Sequence, residues 1–175
     1  MEEVDFETYL GWLNDSKITE YLTTVRNGIS RGGAKEYLRR VEASGNEVQF
    51  ALIDRVKGRF IGTAHVVVDY EKDTAYWGSM IGEMSYWGKG YGTEIKGILA
   101  YYIFIVLGIN KIDTRPEPGH IASVKTIQRN GFRKVGTDTD SFGKPVDIYE
   151  LTREEYLRQH SYLDRRIRYG TFQRA

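Results

Sequence analysis

Three glycines at alternate positions, in Gly88-Lys89-Gly90-Tyr91-Gly92-Thr93, run straight into a stretch with helical spacing, and that arrangement can hold an anion. Glycine lets the backbone pass close to a bulky ligand and turn several N–H groups the same way. The first amides of a helix have no partner of their own, and its dipole favours a negative charge by about 0.3–1 kcal/mol. The stretch therefore predicts a phosphate cradle. Two side chains upstream could move a proton. His65 has an ordinary pKa of about 6.5, suited to proton acceptance near neutrality, and Glu83 closes a strand-patterned stretch just before the cradle, with Asp69 and Asp73 as further carboxylates.

The spacing of the glycines narrows the choice of phosphate ligand. A Walker-type loop needs Gly-x-x-x-x-Gly-Lys-Ser/Thr, whereas Glu83 stands five residues before Gly88 and Gly90 follows Lys89. A dinucleotide fingerprint needs Gly-x-Gly-x-x-Gly, and here Thr93 fills the third slot. Asp113 stands about where a ribose-binding acid would be, which keeps a dinucleotide-binding oxidoreductase among the alternatives.

The elements around these residues follow from periodicity. Ile95, Ile98, Leu99, Tyr102, Ile103 and Val106 recur on one helical face, predicting a buried helix behind the cradle. Upstream, Asp5 can cap a helix carrying Phe6, Tyr9, Leu10 and Leu13, a short turn follows through Ile18, Tyr21 and Leu22, and Ser30 caps a helix with Ala34, Tyr37, Leu38 and Val41 inward. Residues 48–54, 60–69 and 74–82 read as three strands joined by hairpin-length turns. On the second of these, Thr63, His65, Val67 and Asp69 share a face opposite Ala64, Val66 and Val68. Such an antiparallel meander ahead of the glycines disfavours the dinucleotide fold, whose loop follows the first strand of a parallel sheet. Residues 110–114 form a further strand that Pro116 and Pro118 prevent from continuing its pairing. A helix over Ile121, Val124 and Ile127 and two closing strands near 133–139 and 146–151 complete the pattern. The fold class expected is mixed α/β: a central, mostly antiparallel twisted sheet with helices on both faces.

The 175 residues suit one domain, placed at 1–155, followed by a basic aromatic tail at 156–175. A capping-box-like Thr152-Arg153-Glu154-Glu155 leads into that tail, which interleaves Arg165, Arg166, Arg168 and Arg174 with Tyr162, Tyr169 and Phe172, as a solvated helix, a dimer arm or a contact for an acidic partner would. The absence of cysteine excludes disulfides, thiolate metal sites and an acyl-cysteine intermediate, and fits a reducing cytoplasm. A net charge of +1 gives no general pull toward nucleic acid or an anionic membrane. No basic segment leading into an apolar run opens the chain, and the longest apolar run, 98–107, is too short to span a bilayer, so neither a secretory leader nor a membrane anchor is expected.

As a set, these motifs resemble the GNAT acyl-CoA N-acetyltransferases. The family's pyrophosphate pattern Gln/Arg-x-x-Gly-x-Gly/Ala is matched by Trp87-Gly88-Lys89-Gly90-Tyr91-Gly92, with Trp87 in the first position. Its Asn-x-x-Ser/Ala before a helix ending in Gly-Phe is matched by His120-Ile121-Ala122-Ser123 and Asn130-Gly131-Phe132. With Ile61-Gly62-Thr63 and Ile81-Gly82-Glu83, the likeness runs from about Trp12 to Leu151, closest to the branch acetylating ribosomal-protein N-termini, polyamines and nucleotide-linked amino sugars. The first strand usual in that family has no counterpart before the first helix here.

The resemblance implies acetyl-CoA as cosubstrate, no metal, and direct transfer to a primary amine of a small molecule or a protein N-terminus, in a monomer or homodimer. Trp87, Gly88, Lys89, Gly90, Tyr91, Gly92 and Thr93 would hold the pyrophosphate, and His120 and Ser123 would also contact the coenzyme. The backbone of Met80, Ile81 and Gly82 would bind the pantetheine arm and polarise the thioester. The family's tyrosine acid is replaced by Ile127, which leaves Ser123 as the hydroxyl able to hydrogen-bond the sulfur. Tyr76 stands where some relatives place a glutamate base, leaving His65, Glu83 or a water-relayed proton. Trp12, Tyr21, Arg26 and Tyr76 are the acceptor-pocket candidates, and Trp12-Leu13-Asn14-Asp15 looks like relatives acting on nucleotide-linked amino sugars. The missing tyrosine and glutamate keep a non-catalytic acyl-CoA sensor as the competing class.

Overall fold

The computed structural model describes residues 3–22, 25 and 28–160. Arg26 and the arginines and aromatics from Tyr162 onward lie outside the described residues. Three helices open the chain: α1 (Glu3–Leu13), α2 (Ser16–Thr19) and α3 (Arg31–Ala43). Asp15 caps α2 by accepting from the Lys17 N–H, and Ser30 caps α3 by accepting from the Gly33 N–H. The strands β1 (Glu47–Asp54), β2 (Arg59–Asp69) and β3 (Thr74–Ile81) then form the expected antiparallel meander. After it come α4 (Tyr91–Tyr101) with a π-helical last turn at Tyr102–Val106, β4 (Lys111–Thr114), α5 (Ile121–Arg129), β5 (Arg133–Thr139), β6 (Pro145–Thr152) and α6 (Arg153–Gln159).

The six strands lie in the order β1-β2-β3-β4-β6-β5, with β3 and β4 the one parallel pair. That pair is short. Thr74, Ala75 and Tyr76 face Lys111, Ile112 and Asp113, after which β3 runs on to Ile81 alone while β4 ends at Thr114 and Pro116. The sheet therefore opens into a V between its central strands. The meander and this single parallel pair are incompatible with the β-α-β start of a dinucleotide-binding sheet.

Alternation along β2 sends Ala64, Val66 and Val68 into the main core, against Leu99, Ile103, Phe104, Ile112 and Leu151. A smaller core of Tyr9, Leu13, Phe60 and Met80, with Trp12 packed on it, fixes α1 to the sheet. The helix behind the cradle departs from the expected pattern. Ile98 and Val106 are 60% and 57% exposed, whereas Lys96, Ala100 and Phe104 are buried. At 100° per residue the buried arc through Ile95, Leu99 and Ile103 also contains positions 96 and 100, which leaves Ile98 on the outer side. The π turn, closed by the Leu107 N–H on the Tyr102 carbonyl at 2.9 Å, rotates the helix end and turns Phe104 inward in place of Val106. Arg153 Nε satisfies the displaced Phe104 carbonyl at 2.9 Å.

Candidate active site

Two cavities meet inside the V. One, of about 440 Å³, runs along the cradle and is lined by Trp87, Gly88, Gly90, Tyr91, Gly92 and Thr93, with Lys17, Lys125 and Arg129 around it. The other, of about 480 Å³, lies under α1 and α3 and is lined by Tyr9, Tyr37, Glu47, Gln49, His65, Tyr76, Trp77 and Asp113. Tyr21, Leu22, Ser79, Met80, Lys96, His120 and Ser123 belong to both walls. A group held in one cavity can thus reach a group held in the other at these residues.

The cradle is built as the glycines require. Gly88 and Gly90 have φ of +72° and +91°, and a Cβ at either would meet nothing within 4 Å, so their freedom serves the backbone path and not packing. The Gly90 carbonyl accepts from the N–H groups of Thr93 and Glu94, starting α4. The N–H groups of Gly88, Lys89, Gly90, Tyr91 and Gly92 have no acceptor among the described residues. Tyr86, just upstream, is anchored by its hydroxyl donating to Asp54 Oδ2 at 2.7 Å, which pushes the phenol up to about 12. Asp54 also takes the Val56 and Lys57 N–H groups, so one carboxylate ties the β1–β2 turn to the loop entering the cradle. The Lys89 side chain is exposed and lines neither cavity.

Strand β3 supplies the other wall. Gly82 donates its N–H to the Ile61 carbonyl at 3.0 Å, and antiparallel alternation then turns the polar backbone of Met80 toward β2 as well. The cleft-facing backbone past Tyr76 belongs to Trp77, Ser79 and Ile81, and the Ile81 carbonyl already accepts from Trp87 Nε1 at 2.7 Å. The expected trio Met80, Ile81 and Gly82 is therefore displaced by one position for hydrogen bonding: Ser79 and Ile81 face the opening, while Met80 contributes its side chain. A glycine is required at 82 because a Cβ there would fall within the Trp12 ring.

The candidate side chains separate into groups. Ser123 borders both cavities, and its hydroxyl makes no hydrogen bond to the described protein. It is not the helix cap, because the N-cap position of α5 is His120, which itself gives no side-chain cap. His120 stacks on Tyr21 with ring centroids 4.4 Å apart. Burial, then the nearby Lys96 cation, lowers its pKa. His65 lines the second cavity alone, and burial lowers its pKa too, keeping it neutral at pH 7 and able to accept a proton. Tyr21 and Tyr76 line the second cavity. Trp12 lines neither; it packs on Phe60 at 4.9 Å and over Gly82. Glu83 also lies outside both, paired with Arg59 and accepting from Ser85 Oγ at 2.9 Å, which lowers its pKa. Asp69 pairs with Lys72 at 2.6 Å, and Asp73 braces Asn110 at the far end of the sheet.

Several lining residues carry no motif that would have singled them out. Among the described residues, the buried side-chain polar atoms with no partner are Glu47 Oε2, Trp77 Nε1 and Thr93 Oγ1, and all three residues line one of the cavities. Buried polar groups are nearly always satisfied, so such atoms have hydrogen-bonding capacity open to a ligand or an ordered water. Lys125 and Arg129 stand four apart on α5, a spacing that places two cations on one face beside the cradle.

A family model described as the acetyltransferase (GNAT) domain matches residues 1–133. The chain is similar to an uncharacterized N-acetyltransferase, p20, of Bacillus licheniformis, 27% identical over 166 residues that cover 89% of this chain and 92% of the relative. It is also similar to an aminoglycoside N(6')-acetyltransferase of Klebsiella pneumoniae, 26% identical over 92% of this chain and 85% of the relative. Among solved structures, an aminoglycoside acetyltransferase bound to coenzyme A and kanamycin superposes with a TM-score of 0.78 at 25% identity, over 91% of this chain and 96% of that one. The spermidine N-acetyltransferase of Vibrio cholerae, bound to CoA and spermine, shares the fold with a TM-score of 0.80 at 19% identity, over 90% and 95% of the two chains. The chain belongs to the GNAT family and is an N-acetyltransferase that uses acetyl-CoA as its acetyl donor.

Proposed function

We propose that the enzyme transfers acetyl directly from acetyl-CoA to a primary amine on a small amino sugar. The pyrophosphate lies on the amides of 88–92 with Thr93 Oγ1 beside them, and Lys17, Lys125 and Arg129 balance the phosphate charge. The arm passes along Ser79 and Ile81, which brings the thioester to the junction of the two cavities. The single observation that carries this reading is that junction: an anion-suited channel and a polar, aromatic pocket share one short wall, as direct transfer between two bound reactants requires.

The acceptor arrives mostly protonated, because an alkyl amine has a pKa near 10.4, and must lose that proton before attack. His65, neutral and facing the second cavity, takes it directly or through water. The outward N–H groups of β3 receive the developing oxyanion; a preorganised donor of this kind is worth about 3 kcal/mol. Ser123 hydrogen-bonds the sulfur.

The lining favours a sugar over a polyamine. Arg115 holds both oxygens of Asp113 at 3.3 Å, and Arg40 holds one oxygen of Glu47 at 2.8 Å. Glu47 Oε2 is left to receive a cation, enough for one ammonium but not for a chain of them. Tyr9, Tyr21, Tyr37 and Tyr76 offer flat faces and hydroxyls that suit a sugar ring. Incubation with acetyl-CoA and a panel of kanamycin, a nucleotide-linked amino sugar, spermidine and a short peptide, read by mass spectrometry, tests this. Monoacetylated amino sugar is the expected product; acetylation of spermidine or the peptide alone would refute the assignment.

A further inference from the structure

Lys96 is a buried cation without a counter-ion. It lies in the inward arc of α4, is 8% exposed, and its one hydrogen bond among the described residues is from Nζ to Ser79 Oγ at a long 3.4 Å. Buried charges are normally paired, because an unpaired one forfeits its hydration for nothing. The titratable groups bordering the same two cavities do not supply the missing pair. His65 and His120 are neutral at pH 7, Asp113 is held by Arg115 and Glu47 by Arg40, Lys17, Lys125 and Arg129 are themselves cations, and Glu20 is exposed. Burial alone holds the Lys96 ammonium down to about 8. Sequence pattern makes the placement more pointed: the helix turns Ile98 to solvent and this lysine inward.

We propose that Lys96 is a catalytic residue whose ammonium group lies against the sulfur of acetyl-CoA and gives it a proton as the thioester breaks. This inference rests on the acetyl-transfer reading above. The acyl carbon must sit where the two cavities meet, and Lys96 is one of the few residues in both walls. The amine attacks from the second cavity, so the sulfur departs toward the cradle side, along α4. The bond from amine nitrogen to carbonyl carbon forms, the tetrahedral adduct collapses, and the C–S electron pair goes to sulfur. The Nζ proton passes to that sulfur through Ser123 or directly, leaving CoA as the free thiol. The acceptor nitrogen gives up two protons in all: the ammonium proton goes to His65 and on to solvent before attack, and the second, lost from the nitrogen of the adduct, restores Lys96. Donor and leaving thiol then have similar proton affinities, since an alkyl thiol ionises near 8.5, and the transfer is close to balanced.

Coenzyme A itself is the probe. The ultraviolet absorbance of its thiolate is titrated against pH in complexes with the parent, Lys96→Met, Lys96→Gln and Lys96→Arg, with CoA affinity measured in parallel. An ammonium beside the sulfur lowers the bound thiol's pKa by about 1–3 units relative to the two neutral variants, and Lys96→Arg keeps the lowering because it keeps the charge. On the acceptor that the parent acetylates, Lys96→Met lowers kcat at least about tenfold with the KM for acetyl-CoA little changed. Equal thiol titration in the parent and both neutral variants, with CoA bound in each, would overturn the role of Lys96 while leaving acetyl transfer intact. Absence of CoA binding by the parent would overturn both.

Discussion

Replacing Lys96 by methionine should make the protein more stable, and by an amount that changes with pH. The lysine falls from its ordinary 10.5 to about 8 through burial alone. At about 1.4 kcal/mol per tenfold change in proton affinity, that is a penalty of roughly 3 kcal/mol carried by the folded state wherever the lysine is charged. The sign follows from proton counting. Between pH 8 and 10.5 the unfolded chain holds the Lys96 proton and the folded chain has released it, so stability rises with pH through this window; below pH 8 both states are protonated and the whole penalty is present. Methionine keeps the unbranched stem and removes the charge. For a chain of this length about 1 kcal/mol moves Tm by about 2–4 °C, so Lys96→Met should melt roughly 6–12 °C above the parent at pH 7, with the gap closing toward pH 10.5. Thermal unfolding of both proteins from pH 6 to 10.5 measures this. A variant that melts at or below the parent at pH 7, or a gap independent of pH, would refute the reasoning. A buried charge that weakens the fold is retained where it serves chemistry, which ties this prediction to the proposed role at the sulfur.

The other expectations concern different residues. Gly90→Ala places an L-residue at φ +91° with open space around it, costing about 1–2 kcal/mol, to be seen either as a lower Tm or, if the loop relaxes, as about 5–30-fold weaker CoA binding by titration calorimetry. Gly82→Ala drives a methyl into the Trp12 ring and should destabilise by about 1–3 kcal/mol in urea unfolding. Ser123→Ala should lower turnover more than acetyl-CoA affinity; parent-like kcat would remove the hydroxyl from the mechanism. His65 and His120 are both held below the ordinary 6.5 by burial, so as pH falls past about 6.5 the unfolded chain binds protons the folded one refuses and stability falls. The double variant to glutamine should flatten the pH 5–7.5 dependence of Tm relative to the parent.

Local patterns carried most of the fold. Alternating β2, the hairpin turns and the capped α3 depend on contacts within a few residues, and each occurs within a residue or two of its expected bounds. The opening between β3 and β4 was legible because Pro116 and Pro118 cannot donate to a ladder. Two things were not legible. The π turn at Tyr102–Val106 adds a residue to the turn in an apolar run, and period counting has no term for it, so the pattern puts Val106 inward; Ile98 is outward because the buried arc runs through Lys96 and Ala100 instead. In the site, the glycines declared themselves by type, whereas Glu47, Trp77, Lys96, Lys125 and Arg129 come from four different elements and converge only through the tertiary fold. Lys96 was hidden for a further reason: a lysine inside an amphipathic helix is normally assigned to the wet face. Strand alternation turns the backbone N–H and C=O groups of Met80 and Gly82 toward β2, although the Met80 side chain lines both cavities, and only the register fixes that.

A crystal structure of the protein with coenzyme A tests the central claim most directly. The pyrophosphate oxygens should lie within hydrogen-bonding distance of the N–H groups between Gly88 and Gly92, with the sulfur at the wall shared by Ser79, Lys96, His120 and Ser123. Phosphates bound elsewhere, with those amides turned away from the ligand, would contradict it.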